Sequence, residues 1–165
     1  MGEQLTKSDV RKIEEEIEHR KLVVRKEAIE AVKEARAHGD LSENFEYYAA
    51  KREKNQNESR IRYLERMLRT AKIVSDTSNA DEVGLNNLVE LYFEEEEETQ
   101  RVKLVTSIRG NSLDGRISIE SPLGKAILGH KTGERVSVQV NAGYSYEVVI
   151  KSIESGDDED AIRGF

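Results

Sequence analysis

Between Glu3 and Val83 the chain contains one glycine, Gly39, and no proline. Gly and Pro are the strongest local breakers, so an uninterrupted stretch of this length is best satisfied by long helices. Beyond Val83 the punctuation changes: nine of the eleven glycines and the only proline, Pro122, lie there. Frequent breakers between short apolar runs are the pattern of strands and turns. The polar run Ser75-Asp76-Thr77-Ser78-Asn79-Ala80 separates the two regimes. The expected division is residues 1–76 as a helical hairpin and residues 77–156 as a small α+β domain. Residues 157–165 follow as an acidic tail, expected to be disordered.

The apolar positions of the first segment show how its helices pair. Val10, Ile13, Ile17 and Val24 recur at helical spacing, and Ala28, Ala31 and Ala35 continue one position out of phase. Ile61, Leu64, Leu68 and Ala71 mark a second helix, extended backwards through Asn57, Lys54, Ala50 and Tyr47. One apolar seam per helix, with charge elsewhere, is the signature of a two-stranded coiled coil. Gly39 suits the left-handed residue that closes a helix, and Asp40 could cap the next one. A connection this short makes the helices antiparallel neighbours. Residues 39–44 therefore form the tip of a finger about 45 Å long, at 1.5 Å per residue.

In the second segment, residues 88–93, 101–106, 116–119, 135–140 and 146–153 read as strands of an antiparallel sheet. Ser121-Pro122 before an apolar run closed by Gly129 is the Ser-cap, Pro-first, Gly-last signature of a short helix. The run at residues 94–98 suits an exposed hairpin turn.

Composition narrows the chemistry. Cysteine is absent, which excludes disulfides, Cys-ligated metals and thiol catalysis and fits a reducing compartment. No apolar run is long enough to cross a bilayer and the N-terminus lacks a signal-peptide layout, so a cytoplasmic protein with no membrane role is expected, acting as a monomer. Residues 1–76 hold 17 of the 26 Lys/Arg and 16 of the 33 Asp/Glu, leaving the acid excess to the second segment. That distribution, with a net charge of -7, argues against nonspecific duplex binding by the whole surface.

Asp40 and Glu43 at the tip admit two readings. Asp-x-x-Glu at a helix start is a capping box, and local capping alone would account for both carboxylates. Against that stand the long finger and the cations beside the tip, Arg36, Lys51, Arg52 and Lys54. Carboxylates at a tip with cations along the shaft suit a probe of a site holding a divalent metal and nucleic-acid phosphate. Two carboxylates cannot hold Mg²⁺ tightly, because that ion keeps its waters and prefers shared ligands. Such a tip works only where a second protein completes the site. Leu41 and Phe45 could be docking contacts, or Phe45 could fold back on the seam; His38 reads as an exposed helix-end histidine.

The stretch Ala35-Arg36-Ala37-His38-Gly39-Asp40-Leu41-Ser42-Glu43-Asn44-Phe45-Glu46-Tyr47, followed by Ala49-Ala50-Lys51, resembles the tip signature of the bacterial Gre transcript-cleavage factors, GreA type. Ser121-Pro122-Leu123-Gly124-Lys125-Ala126-Ile127-Leu128-Gly129 with Gly133-Glu134 resembles the second signature of that family. The start, Leu5-Thr6-Lys7-Ser8-Asp9 with Ile13 and Ile17, matches its N-terminal motif only in part, and Phe45 stands where the family usually has a small residue.

The resemblance implies an antiparallel coiled coil followed by an FKBP-like domain, and a partner, bacterial RNA polymerase. The second domain would sit at the rim of the secondary channel, through Ser121 and Pro122, with the hairpin inserted towards the active centre. Asp40 and Glu43 match the acidic pair that helps position Mg²⁺ shared with the polymerase; no cofactor is expected to bind stably to the chain alone. Arg36 and Lys51 match cations that contact the nascent RNA 3′ end, with Arg52 beside them. Leu41, Ser42, Asn44 and Phe45 would dock the tip. The chain would then be no enzyme itself but a stimulator of the polymerase's own cleavage of backtracked RNA. The alternatives are a channel-binding regulator that blocks or tunes without cleavage, which Phe45 keeps open, an FKBP-like isomerase or chaperone, or a coiled-coil adaptor.

Overall fold

The computed structural model describes residues 2–39 and 43–164. The chain divides into two compact units, one built on Val10–Ala71 and the other on Gln4–Asp9 with Lys72–Gly164. The first residues of helix one thus belong to the second unit, a division that position along the chain does not reveal.

In the first unit α1 (Lys7–His19), a π-helical stretch (Arg20–Val24) and α2 (Arg25–Ala37) follow one another without a break, and α3 (Phe45–Thr70) returns beside them. The π-helical stretch falls where the apolar spacing slips. A π-bulge adds one residue to a helix, so every later side chain is rotated back towards the seam. Ile13 is buried before the stretch and Val24, its last residue, is half-buried; Ala28, Val32 and Ala35 line the seam after it. Ala31, assigned to the seam by spacing, is exposed, and Val32 takes its place. On α3, Ile61, Leu64 and Met67 are buried, and at roughly 1.5–3 kcal/mol each they are the main apolar anchors.

Polar residues fix the register of the hairpin. Asn57 is 2% exposed; its amide donates to the Arg20 carbonyl at 3.3 Å and its oxygen accepts from Arg20 Nη1 at 3.0 Å. A buried Asn in a coiled-coil seam sets register at some cost in stability, and here it engages the backbone at the start of the π-helical stretch. Glu16 accepts from Arg20 Nε at 2.6 Å and from the buried Arg60 Nε at 2.9 Å. Lys21–Glu65, at 2.8 Å, and Arg25–Glu58, at 2.9 Å, repeat the pairing across the helices.

These carboxylates make the hairpin acid-sensitive. Burial alone would raise the Glu16 carboxyl, but hydrogen bonds from Arg60 and Arg20 outweigh it and hold it below its ordinary value. Hydrogen bonds from Arg25 and Lys21 lower Glu58 and Glu65. A carboxyl lowered on folding stabilises the fold above its unfolded value, about 4.3, and that stability is lost as pH falls through the folded value. Thermal melts followed by helix circular dichroism are expected to hold steady from neutral pH to about 5 and to drop below about 4.3. In Glu16→Gln the drop should be smaller; an unchanged acid profile would refute the role of this carboxylate.

The second unit is a five-stranded sheet in the order β5-β4-β3-β7-β6, with β3 (Leu88–Phe93), β4 (Glu98–Val105), β5 (Arg116–Ser118), β6 (Arg135–Asn141) and β7 (Tyr144–Glu154). The short helix α4 (Pro122–Ile127) packs beside β6 and β5. A two-stranded parallel pair, β1 (Gln4–Leu5) with β2 (Lys72–Ile73), completes the unit. Val89, Leu91, Val102, Leu104, Val136, Val138, Val148 and Ile150 alternate into one core, closed by Ile127 from α4. One short helix against a curled sheet is the FKBP-like α+β arrangement expected. The antiparallel expectation holds for three pairings, but β5 runs parallel to β4. Two 3-10 turns, Ser107–Arg109 and Ser112–Asp114, carry the chain back so that Arg116 pairs with Lys103 rather than continuing as a hairpin.

Residues 157–163 form no helix or strand but carry defined contacts on the sheet unit. Asp160 meets Lys103 at 2.6 Å, and the Arg163 amide donates to the Ile108 carbonyl at 2.6 Å. The cations on β4 and β5 supply counter-charges to this acidic segment that composition cannot place.

Candidate functional site

The end of the hairpin is organised by Asn44. It is the N-cap of α3, its oxygen accepting from the Tyr47 amide at 3.0 Å. Its amide nitrogen donates to the Ala35 carbonyl at 2.6 Å, tying the start of one helix to the end of the other. Gly39, with φ of 143°, takes the turn out of α2 through a conformation that favours glycine. Asp40, Leu41 and Ser42 lie outside the described residues.

This geometry decides part of the capping question. The cap of α3 is Asn44, not Asp40, so Glu43 precedes the helix and does not occupy the third helical position that a capping box requires. Glu43 is exposed. Phe45, the first residue of α3, is 84% exposed and does not fold back on the seam.

The cations and aromatics behind the tip converge. The Arg36 guanidinium lies 5.6 Å from the centre of the Tyr47 ring and Lys51 Nζ 5.9 Å from it. Tyr48 packs edge-on against Tyr47 at 5.4 Å and is 46% exposed. Two positive groups held by one ring present a preset cationic surface, since each cation–π contact limits where a long side chain can swing. Arg52 is exposed beside them. His38 pairs with Glu46 across the turn at 2.8 Å. That hydrogen bond raises the imidazole above its ordinary value, so the protonated form is favoured and the pairing fades as pH rises through the raised value. Spacing gives no sign of this pair, because eight residues with a turn between them carry no periodic signal.

Among the described residues no three His, Asp or Glu side chains come together as a metal cluster. The donor set at the tip is the exposed carboxylate of Glu43, joined in the sequence by Asp40; hard oxygen donors of this kind suit Mg²⁺ shared with other ligands. In the sheet unit, Ser121 caps α4, its hydroxyl accepting from the Gly124 amide at 3.1 Å, and Pro122 opens that helix. A cleft of about 400 Å³ beside them is lined by Phe93, Tyr144, Tyr146 and Leu123. It gives this unit more aromatic lining than its low aromatic content suggests. Glu95 and Glu96 also line it, and the Tyr144 hydroxyl donates to Glu95 at 2.7 Å. Among the described residues no helix is long and apolar enough to cross a membrane.

Residues 3–73 match the family described as "Transcription elongation factor, N-terminal" and residues 77–155 match "Transcription elongation factor, GreA/GreB, C-term". The chain is 44% identical over 140 residues to "Transcription elongation factor GreA" of Caldanaerobacter subterraneus subsp. tengcongensis, covering 84% of this chain and 89% of that one. It is 38% identical over 147 residues to the protein of the same name from Bacillus subtilis, covering 89% and 94%. A solved structure described as that of the transcription factor Gfh1 aligns over 99% of both chains at 29% identity and a TM-score of 0.45. The chain belongs to the GreA/GreB family of transcription elongation factors.

Proposed function

We propose that the protein binds bacterial RNA polymerase in the cytoplasm and stimulates the polymerase's own hydrolysis of backtracked RNA, without being an enzyme by itself. The observation that carries this reading is the exposed Glu43 outside the capped helix, with Arg36 and Lys51 gathered on Tyr47 behind it. Arg36, Lys51 and Arg52 offer their charge to the RNA backbone near its 3′ end. Asp40 and Glu43 offer carboxylate oxygens to the polymerase active centre, where Mg²⁺, when bound, lowers the cost of making hydroxide from water. Their part is to complete a coordination shell and to accept a hydrogen bond from the attacking water. Water adds to phosphorus with loss of a proton, the 3′-oxygen leaves and takes up a proton so that the chain end regains an extendable hydroxyl, and the released fragment keeps the 5′-phosphate. Ser121 and Pro122 are the docking residues of the second unit.

The test is to assemble backtracked elongation complexes and follow labelled RNA with and without the protein in Mg²⁺. Short 3′ fragments are expected only when polymerase and protein are both present. Cleavage of RNA by the protein alone would refute the non-enzyme reading. Binding with no fragments would favour the second reading, a channel-blocking regulator, for which the exposed Phe45 is the specific observation.

A further inference from the structure

Beyond the family-matched segment, which ends at residue 155, the tail seats on a built carboxylate site. Lys103 on β4 and Arg116 on β5 are register partners on adjacent strands. The carboxylate of Asp160 lies between them, 2.6 Å from Lys103 Nζ and 3.9 Å from Arg116 Nη1. Asp157 adds a contact to Lys103 at 3.4 Å. The Lys103 side chain is only 12% exposed, so the cation is covered rather than merely neighboured. The backbone fits as well. The Asp158 carbonyl accepts from the Arg109 guanidinium, and a side chain at Gly156 would place its first carbon 2.3 Å from the Asn86 carbonyl oxygen. The Arg163 amide closes on Ile108 and its guanidinium on the Ser107 carbonyl, 3.4 Å away.

Ser107 leads directly to the face that carries Ser121. Its hydroxyl contacts Ser118 Oγ at 2.6 Å and Glu120 Oε2 at 2.7 Å, and the Ser118 carbonyl accepts from Ser121 Oγ at 2.6 Å. Arg163 therefore lies beside the turn proposed for docking, and the tail changes the charge there. Two cations are covered, and the exposed carboxylates of Asp157, Asp158 and Glu159 are put in their place.

We propose that residues 157–163 are a latch that occupies, in cis, a seat for an acidic polypeptide segment of the polymerase. Docking displaces the latch, so the free protein binds more weakly than its docking surface allows. The inference rests on the polymerase reading above. A cis ligand that must leave first lowers apparent affinity by the fraction of molecules already open, and because its contacts are ionic and near the surface, salt weakens it.

Full-length wild type, Asp160→Asn and Lys103→Gln separate the steps. Hydrogen exchange read by mass spectrometry on the C-terminal peptide reports the latch. Slow exchange is expected in wild type at low salt, and fast exchange in both variants and in wild type at high salt. Labelled protein titrated with polymerase at low salt reports docking. Asp160→Asn should bind about three- to tenfold more tightly than wild type, whereas Lys103→Gln, which opens the latch but removes the seat, should not. Fast exchange in wild type at low salt would overturn the latch. An open tail in Asp160→Asn with unchanged affinity, an equal gain in Lys103→Gln, or displacement of the tail by a short RNA instead of polymerase would each overturn the docking role. If none of the three proteins bound polymerase, the polymerase reading itself would fail, while the exchange data would still show whether the tail is seated.

Discussion

Replacing Glu43 by alanine is expected to reduce polymerase-dependent transcript cleavage about 100-fold or more while leaving polymerase affinity within about twofold, because a group aimed at charge developing in the transition state contributes little to ground-state docking. Glu43 is exposed and precedes the Asn44 cap. It therefore supports neither the seam nor the start of α3, and the helix signal of the variant should match wild type. Asp40→Ala is expected to behave the same way if Asp40 shares the role proposed for Glu43, as the second carboxylate of the tip sequence. Removing Arg36 or Lys51 should differ in kind, weakening the use of RNA substrate and making it more salt-sensitive, since phosphate contacts position rather than react. Single-turnover cleavage on backtracked complexes, with affinity measured in parallel, makes the distinction. A Glu43→Ala variant that lost affinity in proportion to cleavage would show that Glu43 docks the tip instead of assisting the chemistry.

Much of this site is legible in the sequence because local rules govern it. The breaker-free run marks the helices, Gly39 marks the turn, and the order of Ser121, Pro122 and Gly129 marks α4. The phase slip after Val24 is visible as a slip, and its cause, a π-helical stretch held by Asn57, becomes plain only in the structure. Contacts between distant positions leave no trace in the spacing. Arg60 reads as one more charged residue on a coiled-coil surface, yet it is buried against Glu16, 44 positions away, with its guanidinium over the ring of Tyr63. Asp40 suits the cap by residue type, its carboxylate oxygens being acceptors for a helix amide. Asn44 takes that role because its amide can also satisfy the Ala35 carbonyl across the turn, a second bond that a carboxylate has no proton to make. The parallel edge strand and the seated tail escape sequence reasoning on one ground: both depend on where residues 106–115 carry the chain.

The glycines of the second signature lead to an expected loss as large as that at the tip, but of another kind. Gly124 is buried in α4, and a Cβ there would lie 1.9 Å from the Ser118 carbonyl oxygen and 3.0 Å from the Ile119 Cα. Both are backbone atoms, so no side chain can swing aside; α4 or the turn at residues 118–121 must move. That turn is where Ser121 both caps the helix and donates to the Ser118 carbonyl. Gly124→Ala is expected to destabilise the sheet unit by about 3 kcal/mol, the upper end of overpacking costs. For a unit of this size that corresponds to roughly 12 °C or more in melting temperature. Two controls separate space from conformation. At Gly133 a Cβ meets nothing within 4 Å but φ is 92°, so Gly133→Ala should cost only about 1 kcal/mol, from backbone strain. At Gly143 φ is not in the left-handed region, and the nearest atom to an added Cβ is Asn141 Oδ1 at 3.6 Å, an ordinary van der Waals contact. Gly143→Ala should therefore be near neutral. Thermal melts of the three variants followed by near-ultraviolet circular dichroism test the order, and a Gly124→Ala melt as close to wild type as that of Gly143→Ala would show that the turn yields without cost.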